Sequence, residues 1–435
     1  MREKTEDCPL IVKKGGNDDD EAVVIELSPD RWKVLCAFSL LTCMNSWMWI
    51  TWSPIAPALI SYWNVPSSSY VDGLSTVYMY VYIPLSFPAL YGLHHYRFRI
   101  GVTVGAVLNF VGSILRYAGL QHFGWVYTGT VLCATAQTLT LAIPPLLSGL
   151  WFGSHERGLA TSLGVLANQL GTALGLGCTI FIHLTSPTTG ILKEDYLKHY
   201  IGLQMILSGV SLILVLVWIP SDKPPSPPSE AAATAATPTY LASIQVYFSS
   251  FTGLFLFIIY GLVVGIFYAI ATFLTQWVVP PLREEEAGYL GLGLVLVGLG
   301  GSFVAGELLD RTTTSHWKTI SLVFLMGSTT GMFLFGHWFD NKEEEWSRCN
   351  YCLYAITGAL GFFLTGFMSI GFEYGTAISY PADEAAIAGI LNVAAQIGGW
   401  ILIDWHTSPN QMFVLSFLST LVFYFGVTAK SQRPV

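Results

Sequence analysis

Charge is what this chain lacks most. Asp, Glu, Lys and Arg make up 11% of its 435 residues, against 53% hydrophobic residues; a soluble domain carries about 25% charge. The net charge of −8 comes from loops and the N-terminal tail, so no basic surface for nucleic acid is expected. Seven cysteines give no disulfide framework. Cys36, Cys43, Cys133 and Cys178 fall inside apolar segments, and Cys349-x-x-Cys352 stands without a second pair or nearby histidines, which argues against zinc. There is no metal-spaced His/Cys cluster, no Ser/His/Asp set at one depth and no phosphate loop, so neither an enzyme nor a cofactor is expected. The glycine-rich run 291–301 lies within an apolar span and reads as helix packing. A cleavable signal peptide is also missing: residues 1–28 are polar, with Asn17-Asp18-Asp19-Asp20-Glu21, and lack an apolar core. The first span is then the expected insertion signal.

What is present is a series of long apolar windows. Mean hydropathy is +0.55. Windows of about 20 apolar residues begin near Trp32, Tyr70, Ile100, Trp125, Gly158, Tyr200, Phe251, Ala287, Thr319, Cys352, Ala385 and Met412. An all-α integral membrane protein of twelve transmembrane helices is expected. The stretch from Pro220, rich in proline to Pro228 and in Ala/Thr to Thr239, divides it six and six. The expected organisation is a disordered tail over 1–30, a six-helix bundle over 31–219, a linker over 220–248, a second bundle over 249–429 and a short tail over 430–435. With both termini on one side, that side collects 14 of the 20 Lys and Arg residues, which places both termini in the cytoplasm. Glu6-Asp7-Cys8-Pro9-Leu10-Ile11 fits an acidic dileucine sorting signal, leaving plasma membrane and endolysosomal or vacuolar membrane both open.

The first span carries Met44-Asn45-Ser46-Trp47-Met48-Trp49-Ile50-Thr51-Trp52-Ser53-Pro54, more polar and aromatic residues than an anchor needs. Trp49 lies 18 steps after Arg31, roughly 27 Å along a helix, which puts it in the outer half of the bilayer. Its ring faces lipid, a neighbouring helix or a cavity; in a cavity it offers a π-face to a cation. Tyr268 lies 18 residues after Ser250, the corresponding place in the second half. Other features recur too. The fifth span reads Gly164-Val165-Leu166-Ala167-Asn168-Gln169 and the eleventh Gly389-Ile390-Leu391-Asn392, followed by Gln396. The loop after the second span contains Gly92, His94, Arg97 and Arg99; that after the eighth contains Gly306, Asp310 and Arg311. Glycine, then acid and base in a tight turn, suits a gate latch, weakened in the first copy by His94. Matched halves are the mark of a two-bundle secondary transporter with its site at the midplane.

Polar side chains at mid-depth are costly unless they meet a partner or a cavity. Asn45, Gln137, Asn168, Gln169, Tyr268, Asn392 and Gln396 are the candidates, with Trp49, for one shared cavity; interhelical bonding is the alternative for each. The set is neutral and aromatic. No Asp, Glu, Lys or Arg falls at the centre; Arg116 sits near the outer end of the third span, and Glu373 and Asp404 near opposite faces. An anionic substrate would call for a buried Arg or a half-helix N-terminus, and a proton-driven pump for a titratable group on the path, for which His183 alone comes near. What remains suits a small cation with a hydroxyl or amine, boxed by Trp49 and Tyr268 and bonded by Gln137, Asn392 or Gln396, moving by facilitated diffusion.

These pieces resemble one family. Asn45-Ser46-Trp47-Met48-Trp49-Ile50, Trp151–Arg157, Leu166–Thr172, Tyr260–Ala269, Leu309-Asp310-Arg311, Gly371-Phe372-Glu373, Tyr380-Pro381 and Leu391–Gln396 look like the feline leukaemia virus subgroup C receptor-related (FLVCR-like) family of the major facilitator superfamily, over residues 31–428. The resemblance implies the six-plus-six major facilitator fold and facilitative transport of choline and ethanolamine. Haem export has been attributed to the family, and a related branch moves a vitamin with protons. In choline-carrying members the site aromatics fall on Trp49 and Tyr268 and the glutamines on Gln137 and Gln396. His94, and the Trp47, Trp52, Pro54 and Pro57 cluster, depart from that pattern. Gating is assigned to Arg97, Arg99, Asp310, Arg311 and Glu373. The expected partners are a small-molecule substrate and the lipid bilayer, and the chain is expected to act as a monomer. A receptor that binds solute without moving it is the competing class.

Overall fold

In hydrocarbon every backbone polar group must bond within its own segment, which leaves helices as the form these apolar windows take. The computed structural model describes residues 10–13, 22–95, 98–153, 155–185, 194–228, 240–279, 281–341, 350–380 and 382–427. The first half contains α1 (Arg31–Ile50), a 3₁₀ turn (Ser53–Ile55), α2 (Ala56–Trp63), α3 (Ser68–His95), α4 (Phe98–Ala118), α5 (Phe123–Thr138), α6 (Ile143–Trp151), α7 (Arg157–Leu176), α8 (Cys178–Thr185) and α9 (Glu194–Trp218). The second half contains α10 (Tyr240–Phe248), α11 (Phe251–Val278), α12 (Glu284–Arg311), α13 (Trp317–Asp340), α14 (Asn350–Ile378), α15 (Glu384–Asp404) and α16 (Pro409–Gly426). Among the described residues nine spans are long and apolar enough to cross a membrane, and α5 with α6, bent by 45°, makes a tenth. Each of the twelve windows in the sequence coincides with a helix or a broken pair, α3 and α16 completing the set.

The breaks have local causes. Pro54 has no N–H to continue the α1 ladder, and Pro57 sits in the first turn of α2, where a missing N–H costs nothing. α2 ends on Asn64 in the left-handed conformation (φ 50°). α15 begins on Asp383, whose carboxylate accepts the Ala386 N–H at 2.8 Å.

Two helix pairs repeat between the halves: α1 packs on α7, and α11 on α15. Both approaches need glycine. A methyl at Gly171 would overlap the Cys43 carbonyl, and one at Gly398 the Gly261 carbonyl. The bundles meet along two seams, α3 against α15 and α7 against α12. We call the side holding Arg31, Glu156 and Asp222 the linker face; there Arg31 pairs with Glu156 at 2.9 Å and Asp222 accepts the Arg99 N–H at 2.8 Å. The opposite, far face holds Gln121, Glu194 and His406, with Gln121 donating to Glu194 at 2.8 Å.

Two segments differ from expectation. Within the tail expected to lack structure, Leu10–Lys13 and Ala22–Ile25 pair as an antiparallel ladder, Leu10 opposite Ile25, because both runs are β-branched and apolar. The last nine residues of the expected linker form α10, which buries Tyr240 and Tyr247 and offers the Ser243 Oγ to the Asp383 N–H at 3.0 Å.

If the α11–α15 seam is set by backbone contact, Gly398→Val forces the two helices apart. The expected cost is about 2–3 kcal/mol, read as a lower melting temperature of the purified protein in detergent; an unchanged melting temperature contradicts the close approach.

Candidate functional site

Between the two seams lies a cavity of about 740 Å³. It is lined from the first half by Trp49, Gln137, Asn168 and Gln169 and from the second by Tyr268, Asn392 and Gln396. Seven of the eight residues named from the sequence as substrate-binding thus come to one space, although they are spread from Trp49 to Gln396 along the chain and over α1, α5, α7, α11 and α15. At its linker-face end the cavity reaches Arg157 and Glu384, whose side chains are 35% and 43% exposed, so it opens to solvent there.

The closed end is aromatic. The Trp49 and Tyr268 rings meet edge to face with centroids 5.0 Å apart. Trp49 is held by its Nε1–H, which donates to the Ser75 carbonyl on α3 at 3.2 Å. Asn168 Nδ2 donates to Thr42 Oγ1 at 3.1 Å. Gln137 Oε1 is buried and has no hydrogen-bond partner among the described residues; a buried amide acceptor left this way is a ready contact for a ligand donor.

Asn45 is the exception and corrects the expectation. It is fully buried away from the cavity, with Nδ2 donating to Asn109 Oδ1 at 2.9 Å and to the Cys133 carbonyl at 2.8 Å. One turn before Trp49 on α1, its side chain points to α4 and α5, and it ties those helices together. The gate residues are scattered. Arg99 is exposed, and its backbone N–H donates to Asp222. Arg311 pairs with Glu307 one turn earlier on its own helix, since the i,i+4 partner is nearer than another helix end. Glu373 lines the cavity. Arg97 and the side chains of His94, Asp310 and His183 lie outside the described residues.

Sequence reasoning missed the far-side closure. Asp72 on α3 is 3% exposed and accepts from Gln276 Nε2 on α11 at 2.7 Å, joining the bundles beyond the aromatic pair. Tyr80 to Asp404 at 3.1 Å and Ser69 to His406 at 3.2 Å add two further bonds across the same seam. Asp72 stands only a few residues after Ser67-Ser68-Ser69, which reads as the watery end of a span; its signal was the pairing with a polar Gln276 at the same depth in the other half.

Two helical bundles around a polar chamber, open to one face and latched at the other, define a solute transporter of the membrane. Comparison agrees. The Major Facilitator Superfamily model matches residues 38–428. The human choline/ethanolamine transporter FLVCR2 is 32% identical over 420 residues, covering 92% of this chain and 77% of that protein. The choline/ethanolamine transporter FLVCR1 of Felis catus is 34% identical over 394 residues, covering 88% and 68%. Among solved structures, the xylose transporter XylE from E. coli in a partially occluded inward-open conformation shares the fold at TM-score 0.68 and 14% identity, covering 94% of this chain and all (100%) of that one. The E. coli fucose:proton symporter FucP matches at TM-score 0.61 and 15% identity, covering 92% and 100%. The chain belongs to the FLVCR family of the major facilitator superfamily, and it is a multi-pass membrane transporter of small solutes rather than an enzyme.

Two outcomes follow from this geometry. Asn45→Ala costs about 1 kcal/mol of stability, seen as a modest fall in melting temperature, with the solute KM unchanged; a large KM change would return Asn45 to the site. Gln276→Ala shifts the equilibrium toward a far-side-open form by about tenfold, the worth of one hydrogen bond to a carboxyl group. Labelling of a cysteine introduced at Met79, which packs near Tyr268, by an impermeant maleimide from the far side reads that shift.

Proposed function

We propose that this transporter carries choline- and ethanolamine-like cations by facilitated alternating access, with the linker face in the cytoplasm. The observation that carries the reading is the Trp49–Tyr268 pair at the closed end of the cavity, 5.0 Å apart, with the amides of Gln137, Asn392 and Gln396 around it. A quaternary ammonium group binds the faces of such rings, and a hydroxyl or amine at its other end bonds an amide. The names of the relatives supply the same substrates. The 14-to-6 distribution of Lys and Arg supports cytoplasmic termini, so this conformation is inward-open. The cationic solute leaves past Glu373 and Glu384, carboxylates on the cavity wall toward the mouth. In the return state the Asp72–Gln276 bond and the aromatic pair part and the linker-face ends close, with Arg311 and Glu373 as gate residues.

In proteoliposomes containing equal amounts of folded protein, Trp49→Ala is expected to reduce uptake of labelled choline to about a thirtieth or less at sub-saturating concentration, the loss of a desolvated cation–π contact of ~2 kcal/mol. Trp49→Phe is expected to keep a substantial part. Uptake by the alanine variant equal to the parent's would remove the aromatic box from the mechanism.

A further inference from the structure

α1 ends one residue after Trp49, and the chain then passes through the 3₁₀ turn Ser53–Ile55. An interrupted helix leaves carbonyls short of donors, and in lipid other groups must supply them. Pro54 makes this worse, because it has no N–H to offer the Ile50 carbonyl. Four hydrogen bonds outside the backbone ladder hold the break. Thr51 Oγ1 donates to the Trp47 carbonyl at 2.6 Å and itself accepts from Gln204 Nε2 at 2.7 Å. Ser53 and Ser75 share a bond of 2.9 Å. Arg116, in the last turn of α4, donates through Nη1 to the Met48 carbonyl at 3.0 Å.

Arg116 alone among these brings a charge, and its setting is unusual. It is 1% exposed, and among the described residues no carboxylate lies within ion-pair distance. Its Nε and Nη2 have no hydrogen-bond partner among the described residues. To reach α1 the side chain runs past Gly129 on α5, where a methyl would sit 2.9 Å from Arg116 Cγ. The guanidinium then lies 4.8 Å from the centroid of the Trp52 ring. Its positive charge is met by the negative end of the α1 dipole and the π-face of Trp52, with the neutral Cys133 thiol and Tyr78 hydroxyl nearby. The dipole end and the Trp52 ring belong to the segment that carries Trp49. A buried arginine is far more than packing would need at this place, since a methionine of similar length fills such a space.

We propose that Arg116 is a positioning residue for the substrate site: it fixes the broken end of α1 and so sets the plane in which Trp49 meets the bound cation. Arg116 does not line the cavity and acts only through the Met48 carbonyl and Trp52. This rests on the transport reading for its solute but not for its geometry. The substrate loses affinity when the cap is lost because the ring is no longer pre-oriented, and every binding event must order it.

The test compares the parent with Arg116→Met, which keeps length without charge or donor, and Arg116→Lys, which keeps charge and a donor. Amide hydrogen exchange over residues 49–56 is measured without solute, and choline KM and Vmax per mole of reconstituted protein are measured in proteoliposomes. Arg116→Met is expected to speed exchange in that segment by about tenfold, with α11 around Tyr268 unaffected, and to raise KM about tenfold with Vmax within about twofold; Arg116→Lys restores most of both. Unchanged exchange overturns the proposal. So does an unchanged KM with a falling Vmax, which would make Arg116 a stability residue only. If Arg116→Met does not fold, Trp52→Leu is expected to show the same two changes at about threefold, and their absence overturns the proposal equally. Should the parent carry no choline at all, the transport reading fails, while the exchange result still decides the role of Arg116.

Discussion

A polar side chain inside hydrocarbon must either bond to a neighbour or face water-filled space, because no solvent is there to take the place of a lost partner. That constraint sorts the buried polar groups of this chain into two sets. Asn45 with Asn109, Ser53 with Ser75, and Gln204 with Thr51 are bonded to each other and hold helices together. Gln137, Asn392 and Gln396 make no such bonds among the described residues and line the chamber instead. The same residue type thus serves as glue or as site according to which way its helix turns it. On α1, Asn45 and Trp49 are only one turn apart, yet one faces the bundle interior and the other the chamber.

The two kinds of contact also differ in strength, and that difference makes motion possible. Within each bundle, helices approach until backbones touch, as at Gly171 and Gly398, and such packing does not yield to small forces. Between the bundles on the far side of the chamber, three side-chain hydrogen bonds and two aromatic pairs, Trp49–Tyr268 and Tyr80–Trp400, join the described residues. Each is worth about 1–3 kcal/mol at most, so the closure is of the size that solute binding and contacts at the opposite face can offset. Rigid halves joined by a weak, replaceable seam can rock without unfolding.

Much of this was legible in the sequence, and the failures are informative. Span positions followed from hydropathy, and the pairing of halves from Trp49 with Tyr268 and from Asn168 with Asn392. These signals survive because depth in the membrane is read directly from distance along the helix. Rotation about the helix axis is not: it decided Asn45 against the cavity and could not be read from residue type. Asp72 was hidden for another reason. It stands beside a polar run that marks a span end, whereas the partner that makes its burial tolerable, Gln276, lies 204 positions away. The partners of the gate charges could not be read from spacing: in this conformation Arg311 pairs with the nearer Glu307 on its own helix. Arg116 was visible as a charge near a span end, but its contact with the Met48 carbonyl depends on the close passage of α4, α5 and α1, which no local pattern encodes.

The distribution of charge along the chamber bears on how a cation could be carried. The charged residues on its wall, Arg157, Glu373 and Glu384, belong to its outer part toward the linker face, while Trp49, Tyr268, Gln137 and Gln396 around the closed end are neutral. A carboxylate placed against the rings would bind an ammonium group more tightly, but in a low-dielectric site it would also hold it through the change of access. It would also be left buried and unpaired on the return journey, at a cost of several kcal/mol. Rings and amides avoid both penalties. Their attraction amounts to a few kcal/mol, the range of millimolar to micromolar dissociation, and the empty chamber can close again without stranding a charge. A carrier that must release its solute on either side is better served by that weaker, uncharged embrace than by an ion pair.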